Sequence, residues 1–184
     1  MENERLKKQL EFCREIDKEK FIGRQTYKSD AQTKENDAEH AWHMAVMTVL
    51  LSEYANEKID VLKTVTMLLI HDIVEIDACD TYAYDEEGKK TQREREVKAA
   101  DRIFGILPDD QRDNFRNLWE EFEKGETPEA KFAHTMDNFQ PAMLNDLTEG
   151  KSWGEKGVHL SQILERNKNT AAGSKEIWDY AYKN

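Results

Sequence analysis

Leu68-Leu69-Ile70-His71-Asp72-Ile73-Val74-Glu75 is an apolar run that holds a histidine and an aspartate side by side, with a glutamate one helical turn after the histidine. Its apolar positions mark it for burial. Ionisable side chains in such a segment are costly to desolvate unless each is paired, hydrogen-bonded or bound to a metal. The rest of the chain is read for what could compensate His71, Asp72 and Glu75.

Working outward, the pattern is helical. Val and Ile alternate with polar residues in no long stretch, and only three prolines and eight glycines punctuate the chain, so an all-α fold is expected. Asp60 reads as the N-cap of the helix that delivers His71, with Leu62, Val65, Leu68 and Leu69 on its inner face. Before it, Asn36-Asp37-Ala38-Glu39 has the form of a capping box. The helix it opens carries His40, His43, Met44, Met47, Leu50 and Leu51 at three-to-four spacing. A first helix is expected over about 3–19 with Leu6, Leu10, Cys13 and Ile16 inward, followed by a polar loop over about 23–34.

Downstream, 76–88 reads as a loop, and a charged helix over about 89–104 turns Val97, Ala100, Ile103 and Phe104 inward. Pro108 opens a helix holding Phe115, Leu118, Trp119 and Phe122, which Gly125 stops. Thr127-Pro128 starts another, carrying Phe132, Met136, Asp137 and Pro141. Pro141 has no N–H for the carbonyl of Asp137, which predicts a kink there. Two tail helices are expected, over about 160–167 and 174–182. With no repeat and no interdomain linker, 1–184 reads as a single domain, with a core over about 20–145 and the C-terminal helices packed on it.

Bulk composition narrows the function. A net charge of −11 argues against a nucleic-acid polymer as ligand, because a phosphate backbone selects basic surfaces. A small phosphorylated ligand is compatible with it, since one metal ion and one arginine reverse the field locally. The charged start Met1-Glu2-Asn3-Glu4-Arg5 predicts no signal peptide, and the short apolar runs predict no membrane span. Cys13 and Cys79 form no metal or redox motif, and a reducing cytoplasm is the expected compartment.

Taken alone, His71-Asp72 fits two readings: a capped helix end answering the dipole, or part of a metal site. His40, on another helix, is the natural second imidazole. The schemes of other metal or nucleotide proteins are absent: neither histidine has a glutamate three residues before it, and there is no His-Glu-x-x-His and no Gly-x-x-x-x-Gly-Lys.

The order His40, His71-Asp72, Asp137 on successive helices resembles the HD-domain metal-dependent phosphohydrolases. Ala38-Glu39-His40-Ala41-Trp42, His71-Asp72-Ile73-Val74-Glu75 with Asp80-Thr81, and Lys131-Phe132 with Asp137 are similar to the motifs of the branch containing 5′-deoxynucleotidases. The resemblance implies a compact helical bundle with the metal between helices, and His40, His71, Asp72 and Asp137 as its ligands. Such a set suits one divalent ion: Mn²⁺, Co²⁺, Fe²⁺, Mg²⁺ or Zn²⁺. It also implies a phosphohydrolase acting on a small nucleotide, most simply a (deoxy)nucleoside 5′-monophosphate. Glu75 would orient or deprotonate the attacking water and Asp80 protonate the leaving oxygen, roles that could be exchanged. Arg24 matches the phosphate-contacting arginine, and a guanidinium suits two phosphate oxygens. The chain departs from the pattern at Gln25, where that branch has a tryptophan beside the sugar, and at Cys79, where a glycine precedes the aspartate. Gln25 and His43 are further candidates for substrate contact.

Two other readings stand beside this one: a non-catalytic metal- or nucleotide-binding protein, and a phosphodiesterase that uses His43 and His134 for a second metal. A homodimer is a further expectation, through tryptophan-bearing helices around 115–122 and 176–182.

Overall fold

A computed structural model describes residues 3–183. The elements are α1 (Glu4–Glu15), β1 (Gly23–Tyr27), β2 (Lys34–Asn36), α2 (Asp37–Leu51), α3 (Val61–Ile70), α4 (Glu75–Ala78), α5 (Glu86–Phe104), α6 (Asp109–Lys124), α7 (Pro128–Leu147), α8 (Lys151–Lys156), α9 (Leu160–Asn167) and α10 (Lys175–Lys183), with short 3-10 turns between some of them. The fold is helical, as expected. The segment read as a polar loop instead forms an antiparallel hairpin, with Gly23 opposite Asn36 and Tyr27 opposite Lys34. α8 was not expected; its ends are set by Gly150 and Gly157, both with left-handed backbone.

The helix starts follow local chemistry. Asn36 accepts from the Glu39 amide while Glu39 accepts from the Asn36 amide, closing the capping box. Asp60 caps α3, and Thr127 caps α7 with Pro128 behind it. Gly125 ends α6 at φ +64°. α7 continues as helix through Pro141.

The core has two clusters. Phe12, Ile70, Ile73, Val74, Ile103, Phe104 and Trp119 form one; Met44, Met67, Leu68, Phe122, Phe132, Met136 and Ile177 form the other. The end of α3 contributes to both, so His71 and Asp72 emerge where the clusters meet. The C-terminal segment docks on α7 through a close backbone approach: a Cβ on Gly173 would lie 2.2 Å from the Lys131 carbonyl, so only glycine fits.

Several inner faces differ from the periodicity. On α1, Leu6, Leu10 and Cys13 face outward and Phe12 is buried. The docked stripe is Arg5, Gln9, Phe12 and Ile16: Arg5 pairs with Asp110, Gln9 bonds Gln111, and Phe12 meets Phe115 at 5.8 Å between ring centroids. That stripe is half polar, so an apolar count misses it. Leu50, Leu62 and Leu69 also point outward, with Met44, Met47, Met67 and Leu68 taking the core positions. Trp119 is fully buried, so the 115–122 segment offers no tryptophan to a partner.

Candidate metal and active site

Four elements converge on one buried cluster. α2 supplies His40 from its first turns. His71 is the C-cap of α3, Asp72 opens the 3-10 turn that follows, and Glu75 begins α4. α7 supplies Asp137 from its middle. One donor atom each of His40, His71 and Asp72 lie within 4.8 Å of one another. Oδ1 of Asp137 is 3.2 Å from Nε2 of His40 and 3.9 Å from Nε2 of His71. All the predicted ligands are therefore together.

Both imidazoles are oriented from behind. Nδ1 of His71 donates to the Leu68 carbonyl at 2.9 Å, and Nδ1 of His40 donates to Oε1 of Gln140 at 2.8 Å. Each ring then turns Nε2 into the cluster, and a cation that displaces the ring proton there meets the lone pair that metal-binding histidines need. Nε2 of His71 is buried and makes no hydrogen bond within the protein. Two inward imidazoles and two carboxylates fit a divalent cation.

The electrostatics fit as well. Burial disfavours charge on His71, yet Asp72 and Asp137 outweigh it and hold the imidazole pKa well above its ordinary value. Burial likewise opposes charge on Asp137, but His40 and His71 keep its carboxyl well below the usual range. Burial, then the charges of Asp72 and Asp37, push Glu75 up to about 11. Asp80 is also raised, by burial first. Without a cation the cluster balances its carboxylates with protons, and a cation bound among them would take the protons' place.

Arg24 binds the cluster from the hairpin. Its NH1 donates to Asp72 at 2.8 Å and to Asp37 at 3.1 Å, and its Nε lies 3.6 Å from Glu35. A cavity of about 300 Å³ opens beside these residues, lined by Arg24, Gln25, His71, Asp72, Glu75, Asp80 and Asp137 among others. Arg95 fixes the turn that carries Asp80, reaching the Ala78 carbonyl and the Thr81 hydroxyl. Cys79, just before Asp80, holds φ +63° and ψ 146°, a conformation that glycine takes and other residues rarely do.

His43 lies elsewhere. Its Nδ1 accepts from Gln140 at 3.1 Å, and its ring stacks on Trp42 rather than facing the cavity. Gln25 lines the cavity with its Oε1 held by Lys34. The residues missed by sequence reasoning are Glu35, Asp37, Gln140 and Arg166. Asp37 and Gln140 had a signal: each is one helical turn from a predicted ligand, on the same face. Arg166, which reaches Oδ2 of Asp137 at 3.3 Å from α9, had none.

The model of the family described as HD domain matches residues 16–178. The chain belongs to the HD domain family. Among curated relatives, the 5′-deoxynucleotidase HDDC2 of Homo sapiens is 28% identical over 187 residues, spanning 91% of this chain and 90% of that protein. The 5′-deoxynucleotidase hdd1 of Schizosaccharomyces pombe is 27% identical over 128 residues, 67% of this chain and 63% of its own length. Among solved structures, a predicted metal-dependent phosphohydrolase from Magnetospirillum magnetotacticum superposes with a TM-score of 0.93 at 47% identity, covering 97% of this chain and 90% of that one. A conserved hypothetical protein from Pyrococcus furiosus shares the fold, with a TM-score of 0.67 at 22% identity.

Proposed function

We propose that this HD-domain protein is a divalent-metal-dependent phosphohydrolase that removes phosphate from (deoxy)nucleoside 5′-monophosphates. The observation that carries the reading is the convergence of inward Nε2 atoms of His40 and His71 with Asp72 and Asp137, beside a cavity that also receives Glu75, Asp80 and Arg24. The similarity to curated 5′-deoxynucleotidases supports the substrate class.

His40, His71, Asp72 and Asp137 hold the metal, which acidifies water and polarises the phosphate ester when bound. Arg24, already turned toward Asp72, binds a phosphate oxygen from the hairpin side. Glu75, buried beside Asp37, orients the attacking water and, with a cation in place of its own proton, would accept one from it. Asp80, held on its turn, gives a proton to the leaving 5′-oxygen. Which of Mn²⁺, Co²⁺, Fe²⁺, Mg²⁺ or Zn²⁺ serves is set by availability as much as by this ligand set. The phosphodiesterase reading is weaker: His43 binds Gln140, and Nε2 of His134 is spent on the Phe122 carbonyl at 2.7 Å.

The chain acts as one HD domain over 1–184, in the cytoplasm, and no described helix is long and apolar enough to cross a membrane. It works as a homodimer through the outer side of α2 and α3. Trp42, Val46, Val49, Leu50, Leu62 and Leu69 are exposed on these helices, and residues 40–52 include no Asp, Glu, Lys or Arg.

Phosphate release from ribo- and deoxynucleoside 5′-monophosphates, with metal-stripped protein and each ion added back, tests the reading. Metal-dependent release that Asp72→Ala abolishes is expected. A folded, metal-loaded protein that frees phosphate from no nucleotide would overturn it and favour the binding-protein reading.

A further inference from the structure

The cavity runs beyond the metal cluster along α7, and that wall is polar where a helix facing a core would be apolar. Asn138 and Asn145 line it, 8% and 2% exposed. Seven residues apart, they share one helix face, with Asn145 about 12 Å along the axis from Asp137. Neither Oδ1 has a hydrogen-bond partner within the protein. An unmet buried acceptor is costly, so in a cavity wall it is met by a water or by a ligand's donor.

The orientation of the Asn145 amide is fixed by chemistry. Its amide nitrogen donates to the Pro141 carbonyl at 2.9 Å. A carbonyl can only accept, so the NH2 faces it and Oδ1 is the atom left to accept from a ligand, on a residue that borders this cavity and the one beside α9 and α10. Asn145 is therefore an acceptor toward any ligand. Tyr82, Tyr84 and Trp153 also line the cavity, aromatic faces suited to a flat ring.

We propose that Asn145 is a base-reading residue, accepting a hydrogen bond from an N–H on the edge of the nucleobase, with Asn138 accepting from a sugar hydroxyl. This rests on the nucleotide reading above and adds an order to it. Phosphate lies at Arg24 and the metal cluster, sugar against Asn138, and base against Asn145 and the aromatic rings. The sequence is set by the spacing along α7, which is comparable to the reach from a 5′-phosphate to the far edge of its base.

The test compares substrate pairs that differ by one donor. One pair is 2′-deoxyadenosine 5′-monophosphate and its analogue lacking the 6-amino group; the other is 2′-deoxycytidine 5′-monophosphate and its analogue lacking the 4-amino group. Phosphate release is measured with the metal-loaded full chain and with Asn145→Ala. Loss of the amino group is expected to lower wild-type kcat/KM by about tenfold, the size of one hydrogen bond to a buried acceptor. Asn145→Ala is expected to lose a similar factor on the parent nucleotides and nothing further on the analogues. For Asn138→Ala, the parallel loss is of discrimination against a substrate without the 3′-hydroxyl.

Equal wild-type rates within both pairs would overturn the inference and leave the phosphohydrolase reading standing. So would an Asn145→Ala variant that still discriminates within a pair. The wild-type comparison does not depend on any variant folding. Phosphate release from no nucleotide would remove the broader reading and this one with it.

Discussion

The side-chain carbonyl of Gln140 lies 2.8 Å from Nδ1 of His40, and the amide nitrogen of the same residue donates to Glu35 at 2.9 Å. Gln140 is fully buried. It fixes the His40 tautomer from behind and ties it to the carboxylate that lies 3.6 Å from Arg24. Gln140→Leu should therefore lower metal affinity about tenfold or more, since the partners that orient a ligating histidine act on that scale. Chelator competition with Mn²⁺ or Co²⁺ reads this directly. Gln140→Glu keeps the acceptor for His40 and should recover part of the loss. Unchanged affinity in Gln140→Leu would show that His40 is held without it.

Cys79 occupies positive φ immediately before Asp80. Its side chain is exposed and makes no disulfide, so it brings no packing to offset the strain. Cys79→Gly should raise stability by about 1 kcal/mol, less than the full strain because glycine also gains freedom in the unfolded chain. Thermal melts of the glycine and alanine variants decide it. Alanine keeps the strain and should give no gain, so equal stabilisation by both would sink the argument.

Glu123 lines the cavity near Glu96. Burial first, and the Glu96 charge second, push its carboxyl up to about 7, against the pull of Arg93. A raised carboxyl means that the folded state holds its proton longer than the unfolded chain does. The stability it contributes is full below its ordinary 4.5 and is lost as pH rises through 7. Glu123→Gln removes that loss. It should match wild type near pH 5 and be more stable by about 1–2 kcal/mol near pH 9, a figure reduced for partial exposure. Denaturant titrations at both pH values test the sign, and a variant destabilised at high pH would contradict it.

Trp42 is 65% exposed near the start of the uncharged stretch of α2. If that face joins two copies, Trp42→Glu should convert a dimer to a monomer, because it buries an unpaired charge twice across a two-fold interface. Light scattering on wild type and variant gives the answer. A wild-type protein that is monomeric at micromolar concentration would rule the interface out.

Local chemistry made most of the helix boundaries legible. Asn36 with Glu39, Asp60, Thr127 with Pro128, and Gly125 each act through bonds or dihedrals within a turn of themselves. His71, Asp72 and Glu75 stood out for a related reason, since charged groups in an apolar segment need compensation wherever the chain goes, whereas Asp137 entered as a candidate ligand only through the family resemblance. The positive φ at Cys79 matched the departure from glycine seen at that position. Less legible were the faces of α1, α2 and α3. Leucine stripes at Leu6 and Leu10 or Leu62 and Leu69 look like core, but an apolar face looks the same in sequence whether it meets its own protein's interior or the outside.

By itself, then, the sequence determined a helical chain, where most of its helices begin, and that His71 and Asp72 needed partners. These follow from propensity, capping and desolvation, which act over a few residues. Only the tertiary structure decided that Gln140 stands behind His40, 100 residues away in the chain. It alone placed Arg24 between Asp37 and Asp72, and set Asn138 and Asn145 in one cavity wall. Those relationships depend on how α2, α3 and α7 pack, and packing is a joint property of side-chain shapes far apart in the chain, which no local pattern records.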